Sequence, residues 1–294
     1  MYSGIWLPLV TPFRAGEVDL PALQALTEYY ACTGIAGVVA LGTTGEAALL
    51  SDSERLTVLQ AIGEVVAGRL PMLVGIGGFD TREFVHEIRR YDQWDVAGYL
   101  VSAPAYICPD QAGIAWHFEQ IAHATERPIV LYDVPHRTGV PIEPDTVRRL
   151  ADYENIVAIK ACVSRHFEAL SELPINVLSG TDEAFVDCLA AGGHGGILAS
   201  AHVCADLLVE VHSLMQAGDN ETARRIFDRL RPVLKLLFAA PNPSAIKALL
   251  SLEGRISNEV RKPLMPASTR LVEQLAEART LLQDLRAELA LVVQ

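Results

Sequence analysis

The stretch IVLYDVPHRTGVPIEPDTVRRLADYENIVAIK, residues 129–160, carries two short apolar runs with a helical segment between them. The runs IVLYD (129–133) and IVAIK (156–160) have the length and β-branched content of buried strands. Both are continuously apolar rather than alternating, as expected of strands covered on both faces. Residues 143–151 between them read as an amphipathic helix. The second run ends in a lysine. Lysine is among the residues least often buried without a partner. Either Lys160 snorkels to water, or its amine is used.

The same unit recurs along the chain. Apolar runs appear as IWLPLV (5–10), GVVAL (37–41), MLVGI (72–76), AGYLV (97–101), INVLS (175–179) and GILAS (196–200). Helical segments lie between them at 19–33, 51–67, 80–92, 111–125 and 182–191. Asp19 is placed to cap the first, with Pro21 in its opening turn. Ser51 and Glu54 have the spacing of a capping box at the start of the second. Eight strand–helix repeats over about 200 residues predict a (β/α)8 TIM barrel, an α/β fold. A doubly wound sheet that binds a dinucleotide would need a Gly-rich fingerprint after the first strand, and none is there. Beyond Ser200 the strand pattern stops. The barrel is therefore expected over 1–204, with a C-terminal helical region over 205–294 packed on it.

The chain has 294 residues, 50% of them hydrophobic, and a mean hydropathy of +0.24. That composition supports a large core. A net charge of -12 and a pI near 5.1 argue against a nucleic-acid partner. No run reaches the roughly 18 to 20 apolar residues of a membrane span. The opening MYSGIWLPLVTPF lacks the basic start and cleavage site of a signal peptide. The five cysteines (Cys32, Cys108, Cys162, Cys188, Cys204) are scattered, with no C-x-x-C. The expectation is a cytoplasmic protein with reduced thiols and no metal site. The eight histidines show no H-x-x-x-H or H-E-x-x-H spacing, and His194 in GGHGG reads as structural.

In such barrels the chemistry sits at the C-terminal ends of the strands. There the sequence places GTTGE (42–46), SAPAY (102–106), YDVPHRTG (132–139), Lys160 and SGTDE (179–183), with GGHGG (192–196) around the eighth strand. An unperturbed lysine has a pKa near 10.4, so at pH 7 roughly one amine in a few thousand is neutral and able to attack a carbonyl. Burial lowers that value. A strand-end lysine inside a barrel is a candidate Schiff-base nucleophile. Tyr132 ends the preceding strand, and its phenol belongs to the general acid–base set. Alternatively it is a core tyrosine bonded to a backbone carbonyl. GTTGE offers two hydroxyls and closely spaced N–H groups that suit a carboxylate, or forms an ordinary strand-to-helix turn. Arg137 has the fork for a second carboxylate, or makes a surface ion pair.

These motifs, taken together from LVTPF (9–13) through GTTGE and YDVPHRTG to GGHGG and PNPSAIK (241–247), resemble the dihydrodipicolinate synthase / N-acetylneuraminate lyase family of class I pyruvate aldolases. The resemblance implies a barrel with a C-terminal helical extension, a homotetramer or homodimer, and no cofactor beyond the substrate's own Schiff base. It implies that Lys160 forms that Schiff base with pyruvate and that Tyr132 transfers protons. Thr43 and Tyr106 would complete a hydroxyl relay, Tyr106 from a neighbouring subunit. Thr43 and Thr44 would hold the pyruvate carboxylate, and Gly180 and Ile197 would line the site.

The RTG after the tyrosine motif is similar to the dihydrodipicolinate synthase branch, in which Arg137 would hold the carboxylate of aspartate semialdehyde. The implied reaction condenses pyruvate with that aldehyde in the lysine/diaminopimelate pathway. Relatives acting on a sialic acid, a keto-deoxy sugar acid or a hydroxyproline-derived substrate share the lysine and tyrosine. A non-catalytic barrel keeping the fold is a further alternative.

Four positions depart from the usual pattern of that branch. They are Asp133 in place of asparagine, His136 in place of a small residue, and Ala161 and Ser164 after the lysine. Asp133 is expected to add negative charge near the site. Ala105, Asp52, Arg55 and Phe79 stand where relatives bind inhibitory lysine, so lysine inhibition is expected to be weak or absent.

Overall fold

The computed structural model describes residues 2–292. Among these, eight parallel strands close a barrel. They are β1 (Gly4–Pro8), β2 (Gly37–Ala40), β3 (Met72–Ile76), β4 (Gly98–Ser102), β5 (Ile129–Asp133), β6 (Ile156–Ala161), β7 (Asn176–Ser179) and β8 (Gly195–Ile197). Each pairs with its sequence neighbours, and β1 closes the ring by pairing with both β2 and β8. The connecting helices are α1 (Leu20–Ala31), α2 (Asp52–Val66), α3 (Thr81–Tyr91), α4 (Gln111–Ala122), α5 (Pro144–Leu150), α6 (Phe167–Ser171), α7 (Phe185–Ala190) and α8 (Ala201–Gln216).

The strands read as continuously apolar because each has two buried faces. Trp6, Val39, Leu73, Leu100, Val130, Ala158, Leu178 and Ile197 form a cluster inside the barrel. Their chain neighbours, such as Leu131, Ile159 and Val177, belong to the second cluster, between barrel and helices. The period of two along a strand then decides which polar residue reaches the mouth. On β5 and β6, Tyr132 and Lys160 continue the inward rows of Val130 and Ala158.

The expected caps are present. Asp19 accepts the Ala22 N–H at the start of α1, and Pro21 lies in its first turn. Ser51 and Glu54 form the reciprocal capping box of α2. Between β6 and β7 the sequence reading placed no helix. The structure has a single 3-10 turn (Ser164–His166) and the five-residue α6, too short to display a 3.6-residue period. GGHGG also differs from expectation. Its first three residues precede β8 and its last two open the strand, so His194 lies at the foot of the barrel. There the His194 carbonyl accepts the Gly4 N–H at 2.9 Å, and His194 Nδ1 accepts the Val177 N–H at 3.1 Å.

After α8 come α9 (Asn220–Leu237), α10 (Ser244–Leu252) and α11 (Thr269–Val292). The expected boundary between 204 and 205 falls inside α8, at a kink where Cys204 leaves helical values (φ -144°, ψ 37°). α8 packs on β1, α9 on α8, and α11 on both α9 and α10. α9 buries Ile226, Phe227, Leu230, Val233, Leu234 and Leu237. Each such side chain contributes about 1.5 to 3 kcal/mol when fully buried. All five cysteines are free. Among the described residues, no helix is long and apolar enough to cross a membrane.

Candidate active site

β5 and β6 run in register, with Tyr132 opposite Lys160. Lys160 Nζ lies over the Tyr132 ring, 4.3 Å from its centroid. The lysine is buried, at 6% exposure, so it does not snorkel to water. On its other side runs β7, extended by Gly180. A Cβ on Gly180 would lie 3.0 Å from Lys160 Cγ and 2.5 Å from Cys162 Sγ. A side chain at that position would press first on Cys162 and then on the lysine stem.

GTTGE follows β2 as one 3-10 turn, Thr43–Gly45. Thr11, from the LVTPF stretch, donates its hydroxyl to the Gly45 carbonyl at 2.7 Å and holds the turn against β1. Thr44 is buried, and its hydroxyl oxygen accepts a hydrogen bond from Asn242 Nδ2 at 2.9 Å. Across the mouth, Val134 leads into a four-residue helix, Pro135–Thr138, ended by Gly139 in the left-handed region (φ 81°). This short helix brings His136 and Arg137 to the rim.

Together these elements enclose a cavity of about 620 Å3. Seven of the eight expected site residues line it, Thr43, Thr44, Tyr132, Arg137, Lys160, Gly180 and Ile197, and so does His136. Its lining carries two basic side chains, Arg137 and Lys160, and two acidic ones, Asp182 and Glu183. Burial, the Arg137 guanidinium and the Lys160 ammonium all push the His136 imidazole below its ordinary pKa. Deeper in the wall, Asp182 is buried and accepts the Ser200 N–H at 2.7 Å, and burial raises its pKa.

Tyr106 is not in this cavity. It is 87% exposed, in the left-handed region (φ 66°), on the loop after β4. Asp133 is a correction to the expectation drawn from its charge. It is fully buried on the outer face of β5, where it accepts the Ile142 N–H at 3.0 Å. It does not line the cavity. Sequence reading also gave no wall role to Phe238–Asn242, the segment after α9, although all five residues line the cavity. The PNPSAIK stretch was the available signal for it.

A model of the family described as "Dihydrodipicolinate synthetase family" matches residues 1–282. The chain belongs to that family. Among relatives of this dihydrodipicolinate synthetase family member, 4-hydroxy-tetrahydrodipicolinate synthase 2 of Clostridium acetobutylicum is 41% identical over 279 residues, 93% of this chain and 98% of the relative. The structure resembles dihydrodipicolinate synthase from Thermotoga maritima, with a TM-score of 0.93 and 35% identity, over 97% of this chain and 99% of that one. It also resembles the chloride-inhibited dihydrodipicolinate synthase of Acinetobacter baumannii complexed with pyruvate, with a TM-score of 0.93 and 32% identity, over 96% and 99% of the two chains. Among the described residues of this family member, no group of three or more His, Cys, Asp or Glu is arranged to hold a metal ion.

Proposed function

We propose that this chain is a 4-hydroxy-tetrahydrodipicolinate synthase that joins pyruvate to aspartate semialdehyde through a Schiff base on Lys160. The observation that carries this reading is the buried Lys160 amine beside Tyr132, in one cavity with the Thr43–Gly45 turn and Arg137. The full-length relative of that name and the pyruvate complex of a related synthase support it.

In this reading the pyruvate carboxylate rests on the hydroxyls and N–H groups of Thr43 and Thr44. The neutral Lys160 amine attacks the C2 carbonyl. Loss of water from the carbinolamine gives an imine, and loss of a C3 proton gives an enamine. Tyr132 is the phenol placed to pass these protons. The enamine carbon attacks the aldehyde of the second substrate, whose carboxylate pairs with Arg137. Attack of that substrate's amine on C2 closes the ring and frees Lys160. The sum is pyruvate plus semialdehyde giving the cyclic product and one water.

Tyr106 has no role within its own chain in this scheme. The Ala105 N–H donates to the Gly78 carbonyl at 2.9 Å, which joins the two loops bearing exposed Phe79 and Tyr106. We assign this face to a subunit contact in a homodimer or homotetramer, with Tyr106 serving the neighbouring site.

The test is borohydride reduction in the presence of pyruvate, followed by peptide mass mapping. A stable adduct on Lys160, absent from folded Lys160→Ala, is expected. Folded wild-type protein without an adduct refutes the Schiff-base reading and favours a non-catalytic barrel.

A further inference from the structure

Behind the Thr43–Gly45 turn lies a fully buried ion pair between the barrel and the C-terminal helices. Lys247 Nζ, on α10, is 2.5 Å from Glu46 Oε1, and both side chains are 0% exposed. Glu46 ends the GTTGE turn in the left-handed region (φ 55°). Its Oε2 accepts the backbone N–H of Arg261 at 2.8 Å. Lys247 Nζ also donates to the Glu259 carbonyl at 2.9 Å and sits 4.1 Å from the centroid of the Phe13 ring. On the turn's other flank, Asn242 donates to Thr44. Arg261 Nη1 also donates to the Leu49 carbonyl at 3.1 Å, just beyond the turn.

A buried ion pair is seldom more stabilising than well-packed apolar residues of the same size, whereas removal of one partner leaves an uncompensated charge. Stability alone therefore does not account for this pair. What it does hold is geometry. Glu46 takes a backbone conformation costly for a residue with a side chain. Its carboxylate is gripped by α10 and by the segment that follows. Thr43 and Thr44, in the same turn three and two residues before it, line the cavity.

We propose that the Glu46–Lys247 pair is a positioning device for the carboxylate-binding turn, so that the C-terminal helical region sets the affinity of the barrel for pyruvate. The inference rests on the reading above, in which that turn holds the pyruvate carboxylate. Neither residue of the pair lines the cavity. The pair acts through the turn, and a turn displaced by even a fraction of an ångström loses alignment of its donors with a carboxylate.

The experiment compares wild type, Lys247→Met and the double variant Glu46→Gln/Lys247→Met, each checked for folding by circular dichroism. Two quantities are read. One is the pyruvate concentration giving half-maximal borohydride trapping at Lys160. The other is the KM for aspartate semialdehyde at saturating pyruvate. In Lys247→Met the half-trapping concentration is expected to rise about tenfold or more, with the semialdehyde KM within about threefold of wild type. The double variant, which leaves no unpaired buried charge, is expected to regain part of that loss while still lying about threefold above wild type. If Lys247→Met fails to fold, the double variant carries the test.

A folded variant, single or double, that traps pyruvate at the wild-type concentration overturns the proposal. So does a variant in which both substrate constants rise equally, as a general loss of order would produce. Wild-type protein that traps no pyruvate refutes the underlying reading instead, and the two failures are thereby distinct.

Discussion

Lys160 and Tyr132 meet because two adjacent parallel strands carry them at the same height and on the same face. Both facts follow from the sequence. The continuous apolar runs mark the strands, and the period of two assigns the faces. On this account Tyr132→Phe keeps the aromatic wall and loses the proton carrier. Turnover is expected to fall by about 10² or more with pyruvate trapping retained, as steady-state rates and adduct mapping would record. A rate near wild type would remove Tyr132 from proton transfer.

Asp133, one residue on, was legible as a charge but not as a direction until the barrel faces were fixed. It faces the helices, with Oδ2 unpartnered, and burial raises its pKa from 3.8 to about 6. A folded-state pKa above the unfolded one means the folded chain binds more protons between those values, so stability falls as pH rises through about 6. Asp133→Asn removes that cost. It keeps an acceptor for the Ile142 N–H. The stabilisation, from urea titrations, is expected to be larger at pH 7.5 than at pH 4.5 by about 2 kcal/mol. A pH-independent difference would contradict the assignment.

At the scale of elements, the loops after the strands make the mouth. The four-residue helix Pro135–Thr138 puts Arg137 at the rim, away from Lys160's buried wall. Arg137→Ala is therefore expected to raise the KM for aspartate semialdehyde about tenfold or more, the loss of one charge-assisted contact, and to leave pyruvate trapping intact. Abolished trapping would show that Arg137 serves the first substrate. Motifs with strong local chemistry were readable at this scale: Ser51 and Glu54 at α2, Asp19 at α1, and the GTTGE turn. Elements without a local signature were not. α6 spans too few residues to show a period. GGHGG lay around the eighth strand as read, but a glycine-rich segment does not reveal that His194 sits before the strand rather than at its C-terminal end. The wall formed by Phe238–Asn242 is set by tertiary packing of α9 and α10, which no local pattern encodes.

At the scale of the molecule, the barrel and its helical extension are one packed body in which the extension reaches the catalytic mouth. The acid-rich composition and the lack of a Gly-rich nucleotide fingerprint narrowed the function class, whereas the choice of second substrate is proposed to rest on a few rim residues. Asp52 pairs with Arg90 at 3.5 Å, and Arg55 pairs with Glu87; we propose that these engaged charges leave little there to bind an inhibitory lysine. Half-inhibition by lysine is expected only above about 1 mM, an affinity of about 4 kcal/mol. Inhibition curves showing half-effect well below that would refute the expectation.

The central claim is the pairing of pyruvate with aspartate semialdehyde in this cavity. The most direct test is the initial rate of their condensation, followed through a coupled dihydrodipicolinate reductase. The account predicts saturable turnover with a kcat of about 1 to 10³ per second, lost in Lys160→Ala. Protein that traps pyruvate on Lys160 yet gives no product with this aldehyde would contradict it, and would mean that the mouth around His136 and Arg137 accepts a different partner.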